Sequence, residues 1–139
     1  MFSFLYSLLD WLGSLFMTKK PSRLLFVGLD NAGKTTMARL LCSSTIAQFA
    51  PTQTPTRTTA KIGNCTVDIT DMGGHEHARK LWKDYFLGVD GVVFFISSTE
   101  RDRFLEAKQQ LYGILSDEDI SNVPILILGT KIDRPDACS

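Results

Sequence analysis

The chain has 139 residues, and its 15 Lys+Arg are balanced by 15 Asp+Glu, so the formal net charge is zero. That length allows one domain with a single core. The charge balance leaves no basic field to recruit nucleic acid, and aromatics do not interleave with Lys or Arg as single-strand binding requires. Cys42, Cys65 and Cys138 are far apart with no C-x-x-C spacing, which argues against a disulfide framework or a zinc site and for packing as small apolar groups in a reducing compartment.

In chain order, Met1 to Met17 is almost wholly apolar with Asp10 its only charge, and Lys19, Lys20 and Arg23 follow. A spanning helix needs about 20 apolar residues, and a secretory signal needs a basic start and a small-residue cleavage site, neither of which is visible. Ser3, Ser7, Asp10 and Ser14 fall on one narrow stripe of a helix. Phe2, Phe4, Leu5, Leu8, Leu9, Trp11, Leu12, Leu15 and Phe16 cover the rest, the pattern of a helix lying in a membrane surface. The apolar face is wide, so a short signal-anchor stays open as the alternative. The cations that follow suit anionic lipid, and Phe at position 2 excludes N-myristoylation.

Leu24 to Val27 reads as a buried strand, and Thr36 to Leu41 continues a helix. Ala50 to Thr56 carries two prolines and is expected to be an extended loop. Thr58 to Ile62 and Cys65 to Thr70 are expected to pair through Gly63-Asn64. After Gly73-Gly74, Glu76 to Leu87 is expected to be helical, with Trp82, Tyr85 and Phe86 on its core face. Val92 to Ile96 is a second buried strand, and Asp102 to Leu115 a helix with Thr99 as its N-cap and a solvated Glu100-Arg101-Asp102-Arg103 start. Ile125 to Leu128 is a third buried strand. Apolar strands alternating with helices imply an α/β fold with a mainly parallel sheet and one antiparallel strand.

Gly28 to Thr35 reads G-L-D-N-A-G-K-T, a complete G-x-x-x-x-G-K-[ST] phosphate loop between a strand and a helix. Its backbone N–H groups, from Asp30, Asn31, Ala32 and Gly33 through to Thr36, can cradle a polyphosphate at a helix N-terminus. Lys34 then meets the β- and γ-phosphates, and the Thr35 hydroxyl meets Mg²⁺. Asp71 closes a strand where its carboxylate can reach Mg²⁺ through water. Gly74 can bring its N–H to a γ-phosphate because no side chain blocks the approach. The Thr52 hydroxyl can complete a hard-oxygen shell of the kind Mg²⁺ prefers. Thr130-Lys131-Ile132-Asp133 follows the last strand, where Asp133 can accept from guanine N1–H and the exocyclic amine. Adenine lacks that donor pair, so the motif selects GTP over ATP. His75, Glu76 and His77 sit at adjacent positions that share no helix face, which does not suit zinc.

These blocks together resemble the small GTPases of the Arf/Sar group, most closely the Sar type. The resemblance is carried by G-L-D-N-A-G-K-T-T (Gly28 to Thr36), P-T (Pro51, Thr52), D-x-G-G-H-E (Asp71 to Glu76) and S-N-V-P-I-L-I-L-G-x-K-I-D-R (Ser121 to Arg134). It runs from about residue 1 to residue 137, and His75 stands where Arf relatives usually carry Gln. The resemblance implies a P-loop small-GTPase fold over 21–139, behind an N-terminal amphipathic membrane helix over 1–20. Thr35, Thr52 and Asp71 are the implied Mg²⁺ group, with Asp30 a further candidate beside the metal. Gly74 is the implied γ-phosphate sensor and His75 the residue that positions the attacking water. A solvated loop histidine is the other reading of His75.

The implied activity is GTP hydrolysis to GDP, coupled to insertion of the N-terminal helix at the cytosolic face of the endoplasmic reticulum and cycling with the cytosol on the route to the Golgi. The implied partners are membrane lipid, an endoplasmic-reticulum exchange factor and the inner COPII coat with its GTPase-activating subunit, with no nucleic acid. An Arf-like trafficking GTPase and a non-hydrolysing fragment are the alternatives. Two departures stand out. Thr130 replaces the family's Asn, as in some other small GTPases, and the family's final strand and closing helices have no counterpart before Ser139. The second departure leads to an expectation that the three buried strands leave part of their apolar surface exposed.

Overall fold

The computed structural model describes residues 7–8, 21–43, 54–62 and 64–138. The apolar runs form the interior strands. β1 (Ser22–Gly28) is buried at every position except Arg23, and β4 (Gly91–Ser97) at every position except the half-buried Ile96. Such two-sided burial suits strands with parallel neighbours on both flanks. β2 (Thr56–Ile62) and β3 (Cys65–Asp71) form the antiparallel hairpin, in register from Ile62 opposite Cys65 to Thr56 opposite Asp71. With β5 (Ile125–Thr130) the sheet has the order β2-β3-β1-β4-β5, and the β3–β1, β1–β4 and β4–β5 pairs are parallel.

Strand alternation divides the core between the two sheet faces. Leu24 and Phe26 of β1, Val93 and Phe95 of β4 and Leu128 of β5 share one face with Ala38 of α1 (Lys34–Ser43). Leu25, Val27, Val92 and Phe94 share the other with Trp82, Phe86, and Ala107 and Ile114 of α3 (Phe104–Leu115). Phe26 and Phe95 stack tilted at 4.9 Å, while Trp82 meets Phe94 edge-on at 6.5 Å. Burying each of these large side chains contributes about 1.5–3 kcal/mol.

Leu8 belongs to the first of these clusters and is 2% exposed. It is the one member of the expected lipid-facing set that falls among the described residues, and it lies in the protein core. The other eight (Phe2, Phe4, Leu5, Leu9, Trp11, Leu12, Leu15 and Phe16) lie outside the described residues, as do Pro51 and Thr52.

Three expectations need correction. Glu76 to Leu87 is not one helix: α2 (Glu76–Arg79) stops after a single turn and a 3-10 turn (Trp82–Tyr85) follows. The Trp82 indole N–H donates to the Gly73 carbonyl at 2.9 Å, and i→i+3 bonds from Leu81 to Ala78 and from Asp84 to Leu81 tighten the chain. Trp82 and Phe86 still reach the core, at 3% and 4% exposure, Trp82 from the first residue of the 3-10 turn and Phe86 from the residue that follows it. Secondly, Thr99 caps nothing. A 3-10 turn (Arg101–Arg103) delays α3, whose N-cap is Arg103, and the Thr99 hydroxyl instead meets that of Ser97 at 3.1 Å. Thirdly, β1 exposes no apolar residue and β4 only the half-buried Ile96, since packing covers both of their faces. Ile125 to Leu128, expected to be a buried strand, is the outermost one instead: only Leu128 is buried and Ile127 is 53% exposed, because no strand pairs with the far edge of β5 among the described residues. Among the cysteines, Cys65 packs against the core, whereas Cys42 is exposed.

The fold places one end of the sheet for ligand work. The phosphate loop leaves β1, Asp71 ends β3, Ser97 ends β4 and Thr130 ends β5, all at carboxyl ends. From β1 the neighbouring strands run out in both directions, and α/β sheets bind ligands outside such a switch point.

Candidate nucleotide site

The turn out of β1 depends on Gly28. Its φ is +145°, and a Cβ there would sit 2.4 Å from the Phe95 carbonyl oxygen. Only glycine can let β1 and β4 run this close and still turn into the loop. Asn31, at φ +62°, holds the loop's left-handed corner, a conformation Asn tolerates. Its side-chain amide donates to Glu100 at 3.1 Å. Lys34, 5% exposed, folds back beneath the loop and donates to the carbonyls of Gly28 at 2.9 Å and Leu29 at 2.7 Å. Burial pushes its ammonium down to about 8, although the charges of Asp71 and Asp30 oppose that shift.

The Thr35 hydroxyl donates to the Asp71 carboxylate across the gap between α1 and β3. Asp71 is 2% exposed. A hydroxyl and a carboxylate brought together in a buried site are hard oxygen donors, and they suit a small hard dication better than a thiophilic metal. Thr36 is half-buried in the first turn of α1, and Ala32 is 1% exposed in the loop.

Gly74 is seated directly on the phosphate loop. A Cβ at this position would fall 2.1 Å from the Asp30 backbone nitrogen and 2.3 Å from the Leu29 carbonyl carbon. No residue with a side chain fits there. His75, the next residue, is exposed and extended, with φ −66° and ψ 153°. His77 is exposed as well. The structure thus brings Lys34, Thr35, Asp71 and Gly74 together, with His75 at the rim.

The β5 end is built differently. The Thr130 hydroxyl donates to the Ala32 carbonyl at 2.7 Å, and Lys131, at φ +59°, donates from Nζ to the Asn31 carbonyl at 2.7 Å. Both residues therefore tie β5 to the phosphate loop. Thr130 can anchor the loop through its hydroxyl, so Asn is not required for that contact. Asp133 is fully on the exposed side of this turn.

Sequence reasoning missed three charged residues. Arg103, assigned to a solvated helix start, donates to the Asp30 carboxylate at 2.7 Å and from Nε to Glu106 at 3.0 Å. Arg79 donates from Nε to the Gly74 carbonyl at 2.8 Å and pairs with Glu106 at 2.5 Å. Burial raises the Asp30 carboxyl, but the Arg103 hydrogen bond and charge outweigh it and hold the group below its ordinary range. The hydrogen bonds from Arg103 and then Arg79 lower Glu106 likewise. An Arg three residues before a Glu at the start of a helix was a weak local signal for this cluster.

A strand–loop–helix phosphate cradle at the switch point of a mainly parallel sheet defines a P-loop nucleotide-binding protein. The ADP-ribosylation factor family model matches residues 8–139, and the chain belongs to that family of GTP-hydrolysing small GTPases. It is 41% identical over 134 residues to the "Small COPII coat GTPase SAR1" of Giardia intestinalis and 39% identical over 138 residues to that of Nicotiana tabacum. Each alignment covers 94% of this chain and 70% of the relative. Among solved structures, the Arl6 BBS3 small GTPase of Trypanosoma brucei with bound GppNp superposes with a TM-score of 0.79 at 28% identity, covering 86% of this chain and 73% of that one. These relatives fit a Sar-type GTPase.

Proposed function

We propose that this chain is a GTP-driven switch for COPII coat assembly, which attaches to the endoplasmic reticulum membrane through a helix over residues 1–20 and hydrolyses GTP on the domain over 21–139. The observation that carries the reading is the seat of Gly74 on the phosphate loop beside the Thr35–Asp71 pair. That contact puts a backbone N–H next to the cradle, where a γ-phosphate can be sensed.

In this reading the loop N–H groups from Asp30 to Thr36 bind the phosphates, and Lys34 exchanges its carbonyl partners for phosphate oxygens. Thr35, Asp71 and Thr52 hold Mg²⁺, which when bound neutralises charge developing on the phosphates. Gly74 donates its N–H to the γ-phosphate, which orders this segment together with that of Thr52. His75, exposed at the rim, orients the attacking water in line. Thr130 and Lys131 keep the loop fixed to β5, and Asp133 accepts from the guanine edge. Partners of the switch are lipid, an exchange factor of the endoplasmic reticulum and the inner COPII coat with its GTPase-activating subunit, on the cytosolic face between the endoplasmic reticulum and Golgi.

Attachment requires Leu8 to leave the core, a cost of about 1.5–3 kcal/mol that burial in lipid of the apolar face around it offsets. The test is phosphate release from the GTP-loaded chain, with coat and liposomes, in parent and His75→Gly forms, alongside ATP competition and flotation of a form lacking residues 1–17. The reading expects slowed hydrolysis with GTP binding kept, no displacement by ATP, and no flotation. Equal affinity for ATP and GTP would overturn it, as would unchanged hydrolysis in His75→Gly.

A further inference from the structure

The two arginines and the glutamate that the sequence did not flag form a chain whose ends lie on the two site segments. At one end, Arg79 donates from Nε to the Gly74 carbonyl at 2.8 Å. At the other, Arg103 donates to the Asp30 carboxylate at 2.7 Å and reaches the Asp30 carbonyl at 3.4 Å. Glu106 on α3 joins them, with one carboxylate oxygen on Arg79 at 2.5 Å and the other on Arg103 Nε at 3.0 Å. Both guanidinium groups therefore hold two partners at once, the Glu106 carboxylate on α3 and a site segment.

We propose that Arg79, Glu106 and Arg103 form a clamp that holds the Gly74–His75 segment on the phosphate loop, so that Arg79 and Glu106 are positioning residues for the γ-phosphate contact and the attacking water. The inference rests on the reading that Gly74 and His75 face the γ-phosphate.

Exposed ion pairs usually contribute little, but three features separate this chain from a surface pair. The Arg79 side chain is only 10% exposed. The charge-assisted bonds end on backbone and side-chain groups of the site itself, not on solvent-facing partners. The preceding carbonyl, Gly73, is held separately by the Trp82 indole at 2.9 Å. Consecutive carbonyls are thus fixed from two directions, which sets the orientation of the peptide between Gly74 and His75. A planar guanidinium supplies two donors at a fixed angle, whereas an ammonium of equal charge cannot reproduce that fork.

The experiment uses the full chain and two substitutions, Glu106→Gln and Arg79→Lys. Glu106 is 38% exposed at its side chain, and Lys keeps the charge of Arg79, so both forms are expected to fold with melting temperatures near the parent's. The first readout is amide hydrogen exchange over residues 74–79 in nucleotide-free protein. The second is hydrolysis rate against GDP affinity. The clamp expects exchange at least tenfold faster, hydrolysis about tenfold slower and GDP affinity within twofold of the parent, in both variants. Exchange within twofold of the parent overturns the clamp. Faster exchange with unchanged hydrolysis overturns the positioning role. If the parent binds no guanine nucleotide, the proposed function fails, and the exchange measurement alone then decides the clamp.

Discussion

The two ends of the proposed nucleotide site, phosphate and base, are built on opposite terms. The phosphate end is woven into the core: Lys34 and Asp71 are 5% and 2% exposed, Gly28 lies against the Phe95 carbonyl and Gly74 against Asp30. The β5 end is an exposed turn in which Thr130 and Lys131 reach back to the loop while Asp133 stands in solvent. Groups buried in a fold carry stability and function together, so changes there affect both. Groups on an exposed turn can be altered for recognition alone. The difference predicts which substitutions separate binding from folding.

Removing the loop cation should have the largest effect. Lys34→Ala loses charge-assisted bonds to phosphate worth about 1.5–3 kcal/mol each, so nucleotide affinity should fall by roughly 10²–10³-fold in a fluorescent-GDP titration. Affinity within fivefold of the parent would mean that the buried end is not the phosphate end. Gly74→Ala comes next. Its Cβ cannot occupy a point 2.1 Å from the Asp30 nitrogen, so the segment must shift. Hydrolysis should drop about 10²-fold, the scale of losing one donor at a developing charge, while GDP binding is kept.

Asp133→Asn tests the exposed end. GTP-over-ATP discrimination should fall by about 10²-fold, because paired contacts to the base edge are lost, while the melting curve moves no more than a surface substitution does, within about 0.5 kcal/mol. A large stability loss would erase the contrast between the two ends. Thr130→Val removes the hydroxyl bond to the Ala32 carbonyl, and one such bond is worth about 1 kcal/mol. Chemical denaturation should register that loss, with base selectivity unchanged.

A last test of the buried end concerns pH. Burial holds Lys34 at about 8 in the fold, against about 10.4 in an unfolded chain. Between those values the unfolded state binds more protons, so the contribution of this group to stability rises with pH; its penalty is full below pH 8 and gone above about 10.5. The stability of the parent minus that of Lys34→Met, measured by denaturation at pH 7 and pH 10, should therefore increase. A flat difference would show that the ammonium is not penalised by its surroundings.

How much of this was legible in the sequence follows the range of the interactions involved. The apolar runs at Leu24 to Val27 and Val92 to Ile96 became the buried β1 and β4 because strand burial is written in consecutive residues, whereas Ile125 to Leu128, expected to be buried too, became the outermost strand β5, with only Leu128 buried. The phosphate loop was legible for the same reason: its glycines and Lys34 lie within one turn of chain. The break after Arg79 was not, since the i, i+3, i+4 spacing of Trp82, Tyr85 and Phe86 reads as one α-helical face and the Gly73 carbonyl held by the Trp82 indole lies nine residues back. Arg103 was hidden more deeply. Its partner Asp30 is 73 residues away, and the one local cue, Glu106 three residues after Arg103, reads equally as a solvated helix-surface pair.

Leu8 gives the proposed lipid attachment a thermodynamic brake. With this side chain at 2% exposure in the core cluster that includes Leu24, Phe26, Val93 and Phe95, only molecules that have released it can bind a bilayer through it. Apparent membrane affinity then equals the intrinsic affinity scaled by the released fraction. Tighter packing of that pocket weakens recruitment and looser packing strengthens it, although no lipid touches the pocket itself. The relation is reciprocal, so vesicles that capture the freed segment should lower the melting temperature of the domain left behind.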